Sequence, residues 1–274
     1  MNNSPSDPIL WRYLDIGKFV SLLSTRSLYL PAARTFSDRF EGTVNQATYD
    51  AYKSRIKEKL AAAGKEEIGE FLRVKHEGAW IEAPVVPGDP VMGLHRALEA
   101  MRARTYVSCW HENPHESEAM WRLYVSDLTQ GIAIRTTRSL LNAALPEGLE
   151  CRPVQYIDYA AKVELEYLTE PFYKKRISFA HEREWRVIKH QFPSVIRRKG
   201  VDIIPLDSDA PPGISIPLRV PLPEVVTEVR MSPVAPPWIK TMYEDLLEKY
   251  EVRIKLVESS LAIDPFSPTM PPQV

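Results

Sequence analysis

Short strand-like runs that never settle into a regular strand–helix–strand rhythm constrain this chain more than any other feature. Trp11-Arg12-Tyr13-Leu14 reads as a strand. Asp15 then caps a helix whose apolar positions Ile16, Phe19, Val20, Leu22 and Leu23 repeat with helical spacing. Ser27 to Leu30 reads as a second strand stopped by Pro31, Thr105 to Trp110 as a central strand, and Gly131 to Ile134 and Val154 to Tyr159 as further strands. Helical readings fall on Thr43 to about Arg73, Val91 to Arg102, Asn113-Pro114 to Tyr124, part of Val163 to Arg176, and Trp238 to Tyr250. Short strands between prolines follow at Val201–Pro205, Ile214–Val220 and Val225–Met231, with a last one at Val252–Val257. This pattern predicts an α+β fold with a mixed, mostly antiparallel central sheet. One domain is expected over residues 8–262, with a helical insertion at about 43–103 and a Pro-rich mobile tail at 263–274.

Bulk composition narrows the function classes. Lys plus Arg number 35 against 36 for Asp plus Glu, a net charge of -1, so no global field steers the chain to nucleic acid or an anionic membrane. The basic runs Lys174-Lys175-Arg176 and Arg197-Arg198-Lys199 read as solvated turns or helix ends. Two cysteines, Cys109 and Cys151, are too few for a disulfide framework and suit a reducing cytosol. No signal-peptide pattern opens the sequence and no apolar run has the length of a membrane span, so a cytoplasmic protein without a membrane partner is expected.

The run His181-Glu182-Arg183-Glu184-Trp185-Arg186 concentrates the chemistry. As a strand it sends Glu182, Glu184, Arg186 and Ile188 to one face and Arg183, Trp185, Val187 and Lys189 to the other. Trp185 and Val187 suit a core, which leaves both glutamates on an open face. Such a pair can stabilise a developing positive charge and hold a nucleophile beside it. It can equally form a surface ladder of Glu and Arg. Arg12, Ser108 and Glu184, on three strands of one sheet, would line a cleft. The guanidinium of Arg12 suits a diphosphate, Ser108 a ribose or the glutamate, and Glu184 a ribose hydroxyl and an oxocarbenium-like transition state. The plainer reading pairs Arg12 with an acid and Glu184 with Arg186.

Two other groupings are weaker. His111-Glu112-Asn113-Pro114-His115 matches the HExxH zinc pattern, but Pro114 cannot sit inside the continuous helix that pattern needs. A helix starting at Pro114 is expected instead, and no metal. Asp38 and Glu41 read as acids that fold their loop through side-chain to backbone bonds. Cys109 reads as a small buried hydrophobe.

Trp11-Arg12-Tyr13, Leu22-Leu23…Leu28-Tyr29, Phe36 to Glu41, Ser108-Cys109-Trp110, Met120-Trp121-x-x-Tyr124, Gly131 to Ile134 and Glu182 to Arg186 resemble, in order and spacing, a widespread bacterial domain family of unknown function. The opening strand, helix and strand also resemble the start of the ADP-ribosyltransferase fold. That resemblance implies NAD as substrate, with Arg12 and Ser108 contacting it and Glu182 and Glu184 as the catalytic Glu-x-Glu pair. Tyr13, Trp110, Trp121 and Tyr124 would line the nucleotide site, where the three last could stack on nicotinamide or simply pack the core. Ser108-Cys109-Trp110 stands where that class carries Ser-Thr-Ser, so its second serine is missing. The implied activity is ADP-ribosyl transfer of the toxin or antiviral-defence kind, with protein, nucleic acid or water as acceptor. A non-catalytic nucleotide- or partner-sensing module and a metal-dependent hydrolase or nuclease are the alternatives.

Overall fold

The computed structural model describes residues 7–51, 98–160, 169–191 and 210–263, positions 54 and 58, and the strand backbone at 71–76, 79–84, 196–198 and 201–203. Seven strands form the central sheet, in the order Leu256–Val257, Glu228–Met231, Ile132–Thr137, Ile9–Leu14, Thr105–Glu112, Glu184–His190 and Cys151–Pro153. Every neighbouring pair is antiparallel except Glu228–Met231 with Leu256–Val257. The mixed α+β class with a mostly antiparallel sheet is therefore what the chain forms.

Strand alternation distributes the core. Leu10 and Leu14 of the first strand face the helix Ile16–Thr25 and meet Phe19, Leu22 and Leu23 in the main core. Trp11 and Tyr13 point the other way, onto Met120, Trp121 and Val125. The helix Pro237–Lys249 closes the main core with Ile239, Tyr243 and Leu247. Trp185 and Val187 belong to that core too, as their alternation in the sequence predicts.

One irregularity of this sheet positions the site. The ladder between Ile9–Leu14 and Thr105–Glu112 registers only Leu10 with Glu112 and Trp11 with His111. Past Trp11 the two strands part. The strand Ser27–Pro31 pairs instead with Gly213–Pro217, and just beyond it Ala32 bridges to Tyr106. A wedge opens in the middle of the sheet.

Several expectations are corrected. Asp15 occupies the N-cap position of the first helix without a capping bond, because its carboxylate accepts from Ser126 N and Oγ and from Lys18. The region read as helical to Arg73 ends in a hairpin, Phe71–His76 with Ala79–Pro84. No helix starts at Pro114. Asn113 N donates to Ile9 O and Asn113 O accepts from Trp11 Nε1, so the strand's bonding runs on into the turn, and the helix begins at Glu118 behind Ser117. Lys174–Arg176, read as a helix end, is a strand parallel to Gln155–Ile157. The tail at 264–274 lies outside the described residues.

Candidate active site

The wedge holds a cleft of about 350 Å³. Arg12, Tyr29, Phe36, Cys109, Trp110, His111, Tyr124, Glu182 and Glu184 are among its walls. On one side stands Arg12, half-buried, its Nη2 donating to Tyr29 O at 2.9 Å and its guanidinium lying 5.7 Å from the Trp110 ring centroid. Among the described residues no carboxylate pairs with it. Burial without an acid partner lowers its pKa. A cation so placed lacks a counter-ion, which an anionic ligand would supply.

Glu182 and Glu184, which also line this cleft, belong to a buried ionic cluster. Lys175 Nζ lies 2.8 Å from Glu182 Oε2, 3.1 Å from Glu184 Oε2 and 3.1 Å from Glu41 Oε1. Arg186 donates Nε to Glu184 Oε1 at 2.7 Å, Nη2 to Glu41 Oε2 at 2.7 Å and Nη1 to Phe172 O at 2.7 Å. Three carboxylates thus meet two cations, a formal excess of one negative charge beside the cleft. Burial by itself would raise the Glu184 carboxyl, but Arg186 and Lys175 outweigh it and hold it down at about 2. Glu41 goes the other way: its burial outweighs the same two cations and its pKa rises. Lys175 is raised despite a burial that would lower it, because Glu184, Glu41 and Glu182 surround its ammonium.

The two glutamates of the Glu-x-Glu run reach this cluster by different backbone routes. Glu184 starts its strand, whereas Glu182 ends the 3₁₀ helix Ile177–Glu182. Arg183 between them is left-handed at φ 40°, which turns both carboxylates toward Lys175. The expectation of one continuous strand with an open glutamate face is therefore corrected: Glu184 is 3% and Arg186 1% exposed. Glu182 Oε2 also accepts from Tyr124 Oη at 2.6 Å, while its Oε1 takes no hydrogen bond among the described residues. Both Glu184 oxygens are engaged.

Other residues singled out in the sequence are distributed differently. Trp110 and Tyr124 line the cleft, and Tyr13 borders it with its hydroxyl already accepting from Ser117 N. Ser108 does not reach it. Fully buried, it accepts from Trp110 Nε1 at 3.1 Å, because residues two apart on a strand share a face. Cys109, on the alternate face, takes the cleft position, with burial keeping its thiol protonated. Trp121 is core, edge-on to Tyr13 at 4.9 Å and donating Nε1 to Glu116. His111 braces the site: its Nδ1 lies 2.6 Å from Glu182 O, and burial lowers its pKa. His115 is exposed and shares no helix with it.

Lys175 and Glu41 are the members of the cluster that the sequence does not place beside Glu182 and Glu184. Lys175 is 6% exposed, against a reading as a solvated turn. A signal existed: with Lys174–Arg176 extended, alternation turns the middle residue inward alone. Glu41 lies 145 positions from Arg186 and carries no local mark of that pairing. Asp38 does accept from Phe40 N, as a loop-folding acid should, and also pairs with Arg176.

No family model and no curated protein matches the chain. Among solved structures, Thermus sp. 2.9 DarT in complex with ADP-ribosylated ssDNA aligns at TM-score 0.39 and 8% identity, covering 95% of this chain and 97% of that one. The same protein in complex with carba-NAD+ aligns at TM-score 0.39 and 9% identity, over 94% and 97%. With NAD+ it aligns at TM-score 0.38 and 8% identity, over 93% and 96%. Likeness at this level carries no function across to this chain.

Proposed function

We propose that the wedge cleft binds NAD and that the protein cleaves its nicotinamide–ribose bond, passing ADP-ribose to an acceptor. The observation that carries this reading is the presence, around one aromatic-lined cleft, of a guanidinium at Arg12 with no carboxylate partner among the described residues and of the carboxylates Glu182 and Glu184. Arg12 neutralises the diphosphate. Trp110, Tyr29 and Phe36 supply apolar walls for the flat ring systems.

As the C1′–N bond breaks, its electron pair leaves with nicotinamide and positive charge develops on the ribose. The excess negative charge of the cluster, fixed in place and poorly solvated, stabilises that charge. Glu184 supplies the charge through space because both its oxygens are already bonded. Glu182 Oε1 remains to contact a ribose hydroxyl or to orient the acceptor. Water, protein and nucleic acid each carry nucleophiles able to accept ADP-ribose, and toxin or antiviral-defence use of such an activity fits any of the three.

A second reading has its own support. Complete bonding of Glu184 by Arg186 and Lys175 is also what a purely architectural carboxylate shows, and the cleft would then sense a nucleotide without breaking it. Nicotinamide release from labelled NAD separates the two. Glu184→Gln keeps shape and loses charge, and should cut release about a hundredfold or more. Arg12→Gln should weaken NAD binding about tenfold or more through the lost charge-assisted contacts. NAD binding without any nicotinamide release by the unmodified protein would establish the sensing reading, and absence of NAD binding would defeat both.

A further inference from the structure

Behind Phe36 lies a second cavity, of about 530 Å³, which shares that ring with the wedge cleft. Its walls carry three guanidiniums, Arg34, Arg39 and Arg102, against one carboxylate, Glu99. Arg34 and Arg39 are exposed, whereas Arg102 is 8% exposed. Glu99 holds only one end of the Arg102 fork, Nη1, at 3.2 Å. Arg102 Nε is buried with no hydrogen-bond partner. A buried donor left unbonded costs about 1–3 kcal/mol, so an orphaned guanidinium nitrogen in the wall of a cationic cavity marks a place where an acceptor is wanted.

We propose that this cavity binds a phosphate-bearing ligand of mononucleotide size. Three guanidiniums around one space offer more N–H groups, from more directions, than the two coplanar oxygens of a carboxylate can accept. A tetrahedral phosphate presents oxygens to all of them. Arg34 is partly anchored, since Nη2 donates to Ala210 O at 2.7 Å, and this fixes its planar group before any ligand arrives. The volume lies within the range of small-ligand sites, and the Phe36 face offers a wall for a base. Neither Arg12 nor the glutamate cluster takes part, so the inference does not rest on the activity proposed for the cleft.

The test is calorimetric titration of the full chain with pyrophosphate, adenosine monophosphate and adenosine. Pyrophosphate and the monophosphate should bind and adenosine should not. The double variant Arg34→Gln/Arg39→Gln, which alters exposed side chains, should weaken the phosphate-dependent binding at least tenfold, with thermal unfolding checked because Arg34 also bonds Ala210 O. Arg102→Gln should do the same, with its thermal unfolding checked in parallel. Arg12→Gln should leave this binding in place. No binding by either phosphate compound, binding unchanged in the Arg34/Arg39 double variant, or loss of all binding in Arg12→Gln would overturn the assignment.

Discussion

Replacing Lys175 by Met keeps a long unbranched stem and deletes the ammonium that three buried carboxylates share at 2.8 to 3.1 Å. Arg186 still serves Glu184 and Glu41, and Tyr124 still serves Glu182, so the site is stripped of one cation and not of all its partners. Removing one member of a buried ionic group typically costs about 3–5 kcal/mol, because the remaining charges stay desolvated. For a domain of this size that is a fall on the order of 10 °C in melting temperature. The sign of the pH dependence gives a sharper check. In the parent, Glu184 is held at about 2, so its contribution is complete above the ordinary carboxylate range and is lost as pH falls toward 2. In the variant Glu41 and Glu184 each lose one of their two cations and their carboxyls rise, Glu41 from a value already above the ordinary one. The folded state then takes up protons more readily, and stability returns as pH falls through those raised values. Thermal and urea unfolding at pH 8 and pH 5 should show a wide gap between the proteins at the higher pH and a narrower one at the lower. An equal gap at both, or a loss below about 1 kcal/mol, would refute the account of Lys175 as the shared counter-ion.

Tyr124→Phe removes the donor to Glu182 Oε2 but keeps the ring, so nicotinamide release should fall several-fold with unfolding nearly unchanged. Ser108→Ala should leave NAD affinity intact and cost about 1–2 kcal/mol in urea unfolding, since Trp110 Nε1 loses its acceptor. Gly42→Ala should destabilise by roughly 1–3 kcal/mol, because Gly42 sits at φ 71° and a methyl there would strike the Phe172 ring. The same substitution should lower activity, as Phe172 O anchors Arg186 Nη1, and a variant with parental stability and turnover would disprove that link.

How much of this was legible in the sequence depends on the range of the interaction. Alternation places Trp185 and Val187 in the core and Glu184 with Arg186 on the other face, because the period of a strand is local and its consequence immediate. The same rule joins Ser108 to Trp110 on one face and turns Cys109 to the other, where it lines the cleft. Glu182 reaches its place through a left-handed residue, Arg183, which nothing in an arginine announces. Glu41 depends on partners far along the chain, Lys175 and Arg186, so its burial follows from topology, whereas Lys175 lies only seven and nine residues from Glu182 and Glu184 and has its one local mark in the alternation of its short strand. The second helix entry failed for a related reason: Asn113 spends its backbone groups on Ile9 and Trp11, which local cap preferences do not weigh.

The two-rung ladder between Ile9–Leu14 and Thr105–Glu112 has a consequence for recognition that side chains do not share. Interior strands ordinarily have both flanks occupied, and unpaired main chain belongs to the rim, where it invites other chains to add on. Here the flanks of two strands, Ile9–Leu14 and Thr105–Glu112, part inside the sheet instead, the second of them met again at Tyr106 by the Ala32 bridge. Carbonyls belong to every residue type and amide N–H groups to all but proline, so most point substitutions leave such main-chain groups in place. A guest lying in that slot can be gripped by the polypeptide itself, and selection remains free to rework the surrounding side chains toward new chemistry while the grip persists.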